Sequence, residues 1–167
     1  GIDFPGLARA LVVNILSGRP DQGAGTITMQ TARVMLLTSE KKLRRKFLEI
    51  FLAYRIESDF TKQEILTLYL NKIFLGQRAY GVAAAAEVFF GKKLDELNLA
   101  EIATIAGMPQ APSDDNPVTS PERAKMRRGY VLRRLRELHE ITEDEERAAR
   151  AVPMQSQLHG PAADIEA

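Results

Sequence analysis

Thr61-Lys62-Gln63-Glu64-Ile65-Leu66-Thr67-Leu68-Tyr69-Leu70 is the stretch from which the fold class is read. Thr61 and Glu64 stand at capping-box spacing, the hydroxyl serving the third helical amide and the carboxylate reaching back to the amide of Thr61. The apolar run behind them predicts a helix, and the same grammar repeats in both directions along the chain. Upstream, Ser39 suits the N-cap of a long helix ending near Phe60, in which Leu43, Phe47, Ile50, Phe51 and Tyr54 form one apolar stripe. Before it, the turn-rich stretch from Arg19 to Thr26 feeds a helix over about Thr28 to Leu37. Asp3 and Pro5 open a first helix that runs from Phe4 until Gly18 stops it. Downstream lies an Ala-rich helix over Gly81 to Phe90, with Gly91 at a left-handed C′ position. Asn98 with Glu101 caps a short apolar helix ending at Gly107, and Ser120-Pro121 opens a basic one through about Glu140. Thr142 with Glu145 caps a last, acidic helix, and the polar tail beyond Pro153 is expected to be loosely ordered. No alternating strand pattern of useful length and no internal repeat interrupts this series, so the class is all-α, mainly helical.

Composition bounds what such a fold does. The 167 residues are 45% hydrophobic and 27% charged, enough for one domain with a core of its own. Twenty-three Lys and Arg balance 22 Asp and Glu, a net charge of +1, so no global field draws the chain to nucleic acid. The absence of Cys excludes disulfides, thiolate zinc sites and cysteine nucleophiles. With His139 and His159 as the only histidines, carboxylates are left as the acid/base material. The most apolar stretches, Leu7 to Leu16 and Val82 to Phe90, fall short of the ~20 residues of a membrane-spanning helix. Gly1-Ile2-Asp3-Phe4 has neither an initiator Met nor a signal-peptide pattern and reads as a cut.

Three places concentrate groups that do chemistry. In Gly23-Ala24-Gly25-Thr26-Ile27-Thr28-Met29-Gln30, glycines, hydroxyls and an amide meet a helix N-terminus, an arrangement that attracts phosphate, although composition alone favours a flexible, capped turn because the spacing is not that of a nucleotide-binding fingerprint. On the long helix, Lys42, Arg45, Lys46, Glu49 and Ala53 share a face turned away from the apolar stripe. Cations there neutralise a diphosphate, and a carboxylate holds a metal ion, orients a cation or acts as a base. Spacing alone favours the plainer alternative, a solvated face with an Arg45–Glu49 ion pair. The third place is Arg123 to Arg136, with seven basic residues; lacking interleaved aromatics, it reads as a salt-bridged surface helix.

At these residues the chain resembles a known family. The Gly-rich stretch 23–30, then Arg45-Lys46-Phe47-Leu48-Glu49, then Lys62 through Asn71 with Gly76 and Tyr80-Gly81, then Arg127-Arg128 with Val131-Leu132, resemble successive motifs of glycosyltransferase family 51. This is the peptidoglycan glycosyltransferase domain of class A penicillin-binding proteins. The resemblance implies a lysozyme-like helical fold and the inverting polymerisation of lipid II into glycan strands, with undecaprenyl diphosphate as the leaving group. It further implies a place at the outer, periplasmic face of the bacterial cytoplasmic membrane. The implied partners are lipid II, the growing glycan strand, the membrane surface and a C-terminal transpeptidase domain, with no nucleic acid. Carried over residue by residue, Glu49 is the catalytic carboxylate that arranges the diphosphate. Arg45 and Lys46 contact that diphosphate, and Thr26, Thr28, Gln30 and Arg33 line the donor site. No cofactor is required by the sequence; a divalent cation, Mg or Mn, is compatible with the resemblance, with Glu49 to hold it.

The departures from the family pattern are specific. Its first motif, with the general-base Glu, would end at about Gly1, so residues 1–167 are expected to be inactive alone. Gly25, Met29 and Val34 stand where Ser, Gln and Asn are usual, Gln110 where Lys is usual, and Asp115 where a bulkier residue is usual. These changes keep open a second reading, a non-catalytic lipid II-binding or protein-interaction module. Residues 1–152 are assigned to the glycosyltransferase domain and 153–167 to a tail leading toward a following domain.

Overall fold

The computed structural model describes residues 3, 5, 6, 9, 25–35 and 42–159, with 42–45 as backbone alone. Most of the sequence-predicted first helix, most of the Gly-rich loop and the Ser39 cap therefore lie outside the described residues; at the start of that helix the Gly6 amide donates to Asp3 Oδ1 at 2.9 Å, the cap expected there. Within them the chain is helical: α1 (Ile27–Met35), α2 (Lys42–Asp59), α3 (Lys62–Lys72), α4 (Val82–Phe90), α5 (Leu99–Gly107), α6 (Pro121–Glu137) and α7 (Glu143–Ala151), with 3-10 turns at Leu94–Glu96 and Met108–Gln110. The only extended pairing among the described residues is an isolated bridge between Phe74 and Tyr80. All three expected capping boxes form. The Thr61 amide donates to Glu64 Oε2 at 2.8 Å, and Asn98 and Thr142 do the same with Glu101 and Glu145 at 2.9 and 2.7 Å. Gly91 closes α4 at φ 62°, the left-handed conformation that a Cβ disfavours.

The chain divides into two compact units, residues 1–72 and 73–167. In the first, α1 packs on α2 and α3 around Met29, Ala32, Ala53, Ile56 and Ile65. Small residues at 32 and 53 let the two helix backbones approach, which is where this core gains its density. In the second unit, α5, α6 and α7 close over Ala100, Ala103, Leu132 and Ala149. The basic helix α6 is bound by ion pairs, as expected, both within its own length, where Arg133 and Arg134 pair with Glu137, and to partners beyond it. Arg123 forks onto buried Asp115 at 3.1 and 3.0 Å, and Arg136 pairs with Glu146 of α7. Arg128 is buried, donating to the carbonyls of Arg150 and Val152 at the end of α7. That placement satisfies carbonyls no helix bond reaches and sets a cation at the negative end of the helix dipole. After α7 the chain returns to α4, where the His159 amide donates to the Val88 carbonyl at 2.9 Å.

One expectation about packing is reversed. The row Phe47, Phe51 and Tyr54 is 75, 66 and 68% exposed, and the face bearing Glu49 and Ala53 is the buried one. A carboxylate goes inside here because α1 supplies cationic donors for it, which removes the cost that burial of a lone charge would carry.

Candidate functional site

The site is built in the first unit, on the antiparallel pair α1–α2. Thr26 starts α1: its hydroxyl accepts the amide of Met29 at 3.3 Å and its carbonyl accepts that of Gln30 at 2.9 Å, so it acts as an N-cap. Arg33, the seventh residue of α1, reaches α2 and grips Glu49 with both edges of a fork, Nε to Oε1 at 3.0 Å and Nη2 to Oε2 at 3.2 Å. Lys46, one turn before Glu49, donates to Oε2 at 3.3 Å. Glu49 is 1% exposed, whereas the side chains of Arg33 and Lys46 are 52 and 37% exposed. Burial alone would raise the Glu49 carboxyl, but the hydrogen bonds and charges of Arg33 and Lys46 outweigh it and hold its pKa below the ordinary value. The group is therefore a fixed anion that aims two cations, and a poor proton acceptor near neutral pH. Arg33 commits Nε and one terminal nitrogen to the fork.

The other sequence-predicted residues fall around this fork. Gln30 is half-buried; its amide oxygen accepts the Tyr69 hydroxyl of α3 at 3.4 Å, and its nitrogen donates to the Gly25 carbonyl at 3.5 Å. Burial pushes the Tyr69 hydroxyl's pKa up, so it stays a donor. Thr28 is buried, and its hydroxyl donates to Glu57 Oε1 on α2. Arg45 lies in the first turn of α2, with its side chain outside the described residues. Glu57 was not singled out by the sequence, where it reads as one more charge at the end of a helix; only the three-dimensional pairing with Thr28 and with Lys62 of α3 gives it a task.

The unusual residues sort differently once placed. Met29 is fully buried in the core, so that position offers no polar group to a ligand, while Gly25, Val34 and Gln110 are exposed. Asp115 holds Arg123 and lies 3.8 Å from Arg127, a structural use for the acid. A divalent cation does not fit the donor set as it stands. Both Glu49 oxygens already accept from cations, and no group of three His, Cys, Asp or Glu among the described residues converges.

Comparison with known proteins agrees with the motif order. Residues 1–136 match the transglycosylase family. Penicillin-binding protein 1A of Vibrio cholerae is 51% identical over all 167 residues of this chain, which span 20% of that protein. A putative transglycosylase of Cupriavidus necator is 53% identical over 154 residues, 92% of this chain and 66% of the relative. The crystal structure of penicillin-binding protein 1A from Haemophilus influenzae superposes with a TM-score of 0.57 at 40% identity, covering 78% of this chain and 17% of that one. The chain thus spans about a fifth of the penicillin-binding proteins it matches. A buried carboxylate forked by an arginine, at the Glu of an Arg-Lys-x-x-Glu motif and within a matched region of 136 residues, leaves one conclusion: the chain belongs to the transglycosylase family, glycosyltransferase family 51.

Proposed function

We propose that this chain is the glycosyltransferase domain of a longer cell-wall polymerase, and that its α1–α2 pair binds the diphosphate of a lipid-linked glycan donor such as lipid II. The observation that carries the reading is the Arg33–Glu49–Lys46 cluster: one buried anion holds two half-exposed cations at fixed positions. In the transfer, the 4-hydroxyl oxygen of the acceptor attacks the anomeric carbon of the donor. The bond from that carbon to the diphosphate breaks, and the hydroxyl proton passes to a base. Charge develops on the departing diphosphate, and cations fixed beforehand stabilise it without reorganising at the moment of reaction. Arg33, Lys46 and Arg45 serve there, with Thr26 and Gln30 at the start of α1, while Glu49 stays ionised and keeps the cations in place. The proton acceptor is assigned by family resemblance to the first motif, which no residue of 1–167 matches, so polymerisation is proposed to need that motif.

The exposed row Phe47, Phe51 and Tyr54 supports operation at a lipid surface, where the donor's polyprenyl chain resides; the outer face of the cytoplasmic membrane is the proposed location. No helix among the described residues is long and apolar enough to cross a membrane. A following transpeptidase domain is proposed from the length of the penicillin-binding relatives. Exposed Gly25, Val34 and Gln110 in place of polar or cationic residues favour one second reading, a domain that binds lipid II without turning it over. The test is lipid II polymerisation by the chain extended N-terminally through the first motif. Glycan strands are expected; lipid II binding without strands would establish the second reading, and no binding would refute both.

A further inference from the structure

The first unit contains a second carboxylate with a fixed partner set, and it lies on the same helix as Glu49. Glu57 follows Glu49 by eight residues, about 12 Å along α2 at the helical rise, on the face turned to α1. Its Oε1 accepts the hydroxyl of Thr28 in the first turn of α1, and its Oε2 accepts the ammonium of Lys62, the first residue of α3. We propose that Glu57 is a positioning residue of the diphosphate site, fixing the first turn of α1 through the Thr28 hydroxyl without touching substrate.

Three threonines on or beside α1 show why Thr28 is the informative one. Thr26 spends its hydroxyl on capping the helix, and Thr31 returns its own to the Ile27 carbonyl at 2.9 Å. Both contacts are local and hold whatever α1 packs against. The Thr28 hydroxyl instead crosses to a residue 29 positions away, beside the core of Met29, Ala32, Ala53, Ile56 and Ile65. This part-buried polar pair has one satisfied geometry, because a shift of either helix takes the Thr28 hydroxyl from its acceptor. Apolar contacts alone tolerate such sliding. The α1 segment is thereby pinned to α2 at two points, Thr28 to Glu57 and Arg33 to Glu49, and Gln30 between them is held by Tyr69 of α3. Each group proposed to meet the donor thus lies on a helix whose register is set at both ends. Glu57 itself is held well below the ordinary carboxylate range, first by Lys62 and then by Thr28, so its charge is constant across the working pH and its service is geometric.

This inference rests on the polymerase reading, and the experiment separates the two. In the chain extended through the first motif, lipid II polymerisation is measured for Thr28→Val, Glu57→Ala and the double variant, with Thr28→Ser and Glu57→Gln as the conservative pair. Each single replacement is expected to raise KM for lipid II about five- to tenfold with kcat changed less than twofold, and the double variant to be no worse than either single one. Thr28→Ser restores the parent KM, and the acid limb of the pH–rate profile stays where it was. Additive losses in the double variant would overturn the proposal, since Glu57 would then act without Thr28. So would parent-like kinetics in both single variants, or a displaced acid limb, which would make Glu57 a proton-transfer group. Amide hydrogen exchange over residues 29–33 gives a readout that needs no substrate. Equal acceleration in Thr28→Val and Glu57→Ala, reversed in Thr28→Ser, supports the clamp even where the unsubstituted protein fails to polymerise and the functional reading falls; unchanged exchange refutes it.

Discussion

Replacing Arg33 with Met removes the fork from Glu49 while keeping an unbranched side chain of similar reach. Two charge-assisted hydrogen bonds of 3.0 and 3.2 Å are lost from a carboxylate that is 1% exposed. At about 1.5–3 kcal/mol for each bond to a charged group, the gross loss is ~3–6 kcal/mol, in line with the ~3–5 kcal/mol typical of breaking a buried ion pair. Two features reduce it. The Arg33 side chain is half exposed and already solvent-screened, and Lys46 still donates to Oε2 at 3.3 Å. The expected net cost is therefore about 1–2 kcal/mol, or a fall of roughly 2–8 °C in the melting temperature of a chain this size. Arg33→Lys should fall between parent and Met, because an ammonium keeps the charge but not the planar fork. Thermal unfolding of the three proteins at pH 7, followed by circular dichroism, measures this. A melting temperature for Arg33→Met within 1 °C of the parent, or a lysine variant equal to the parent, would show that the fork does not hold α1 on α2.

The remaining predictions are separate. Glu49 and Glu57 both have folded pKa values below 4.5, Glu57 at about 2, so the stability they confer is complete above about pH 4.5 and lost as the pH falls through the folded values. The urea midpoint should drop between pH 4.5 and 2, less steeply in Glu57→Gln; identical slopes would contradict this. Gly76→Ala places a Cβ 2.5 Å from the Pro112 carbonyl oxygen at φ +84°, and is expected to destabilise the chain by about 2–3 kcal/mol in urea unfolding. Phe51→Ser, on the exposed row of α2, should change stability by less than about 0.5 kcal/mol yet weaken sedimentation with anionic phospholipid vesicles. Parent-like vesicle binding would remove that row from the proposed lipid surface.

Local rules made the helical framework legible, and long-range pairing decided what they left open. Thr61, Asn98 and Thr142 each announce a helix start because a capping box is complete within four residues. The orientation of α2 is of another kind. Its aromatic row, Phe47, Phe51 and Tyr54, has the spacing of a core stripe, and the hydrophobic pattern points it inward. The deciding partner is Arg33, sixteen residues before Glu49 and on another helix, and no window on α2 contains it. The motif resemblance marked Glu49 as important without showing that it is buried. Glu57 carries no local signal either, since its partners Thr28 and Lys62 belong to two different helices. Asp115 looks like a departure from family pattern until Arg123, eight residues on, returns to it from α6.

The central claim is that Glu49 serves as an ionised residue that aims Arg33 and Lys46 at a donor diphosphate. Its most direct test is lipid II polymerisation by the chain extended through the first motif, with Glu49→Gln compared against the unsubstituted protein. The account predicts that Glu49→Gln folds, keeps helical circular dichroism, and loses at least about 100-fold in kcat/KM, the scale of removing a preorganised electrostatic contact at a departing group. Polymerisation by Glu49→Gln at the parent rate would contradict the account.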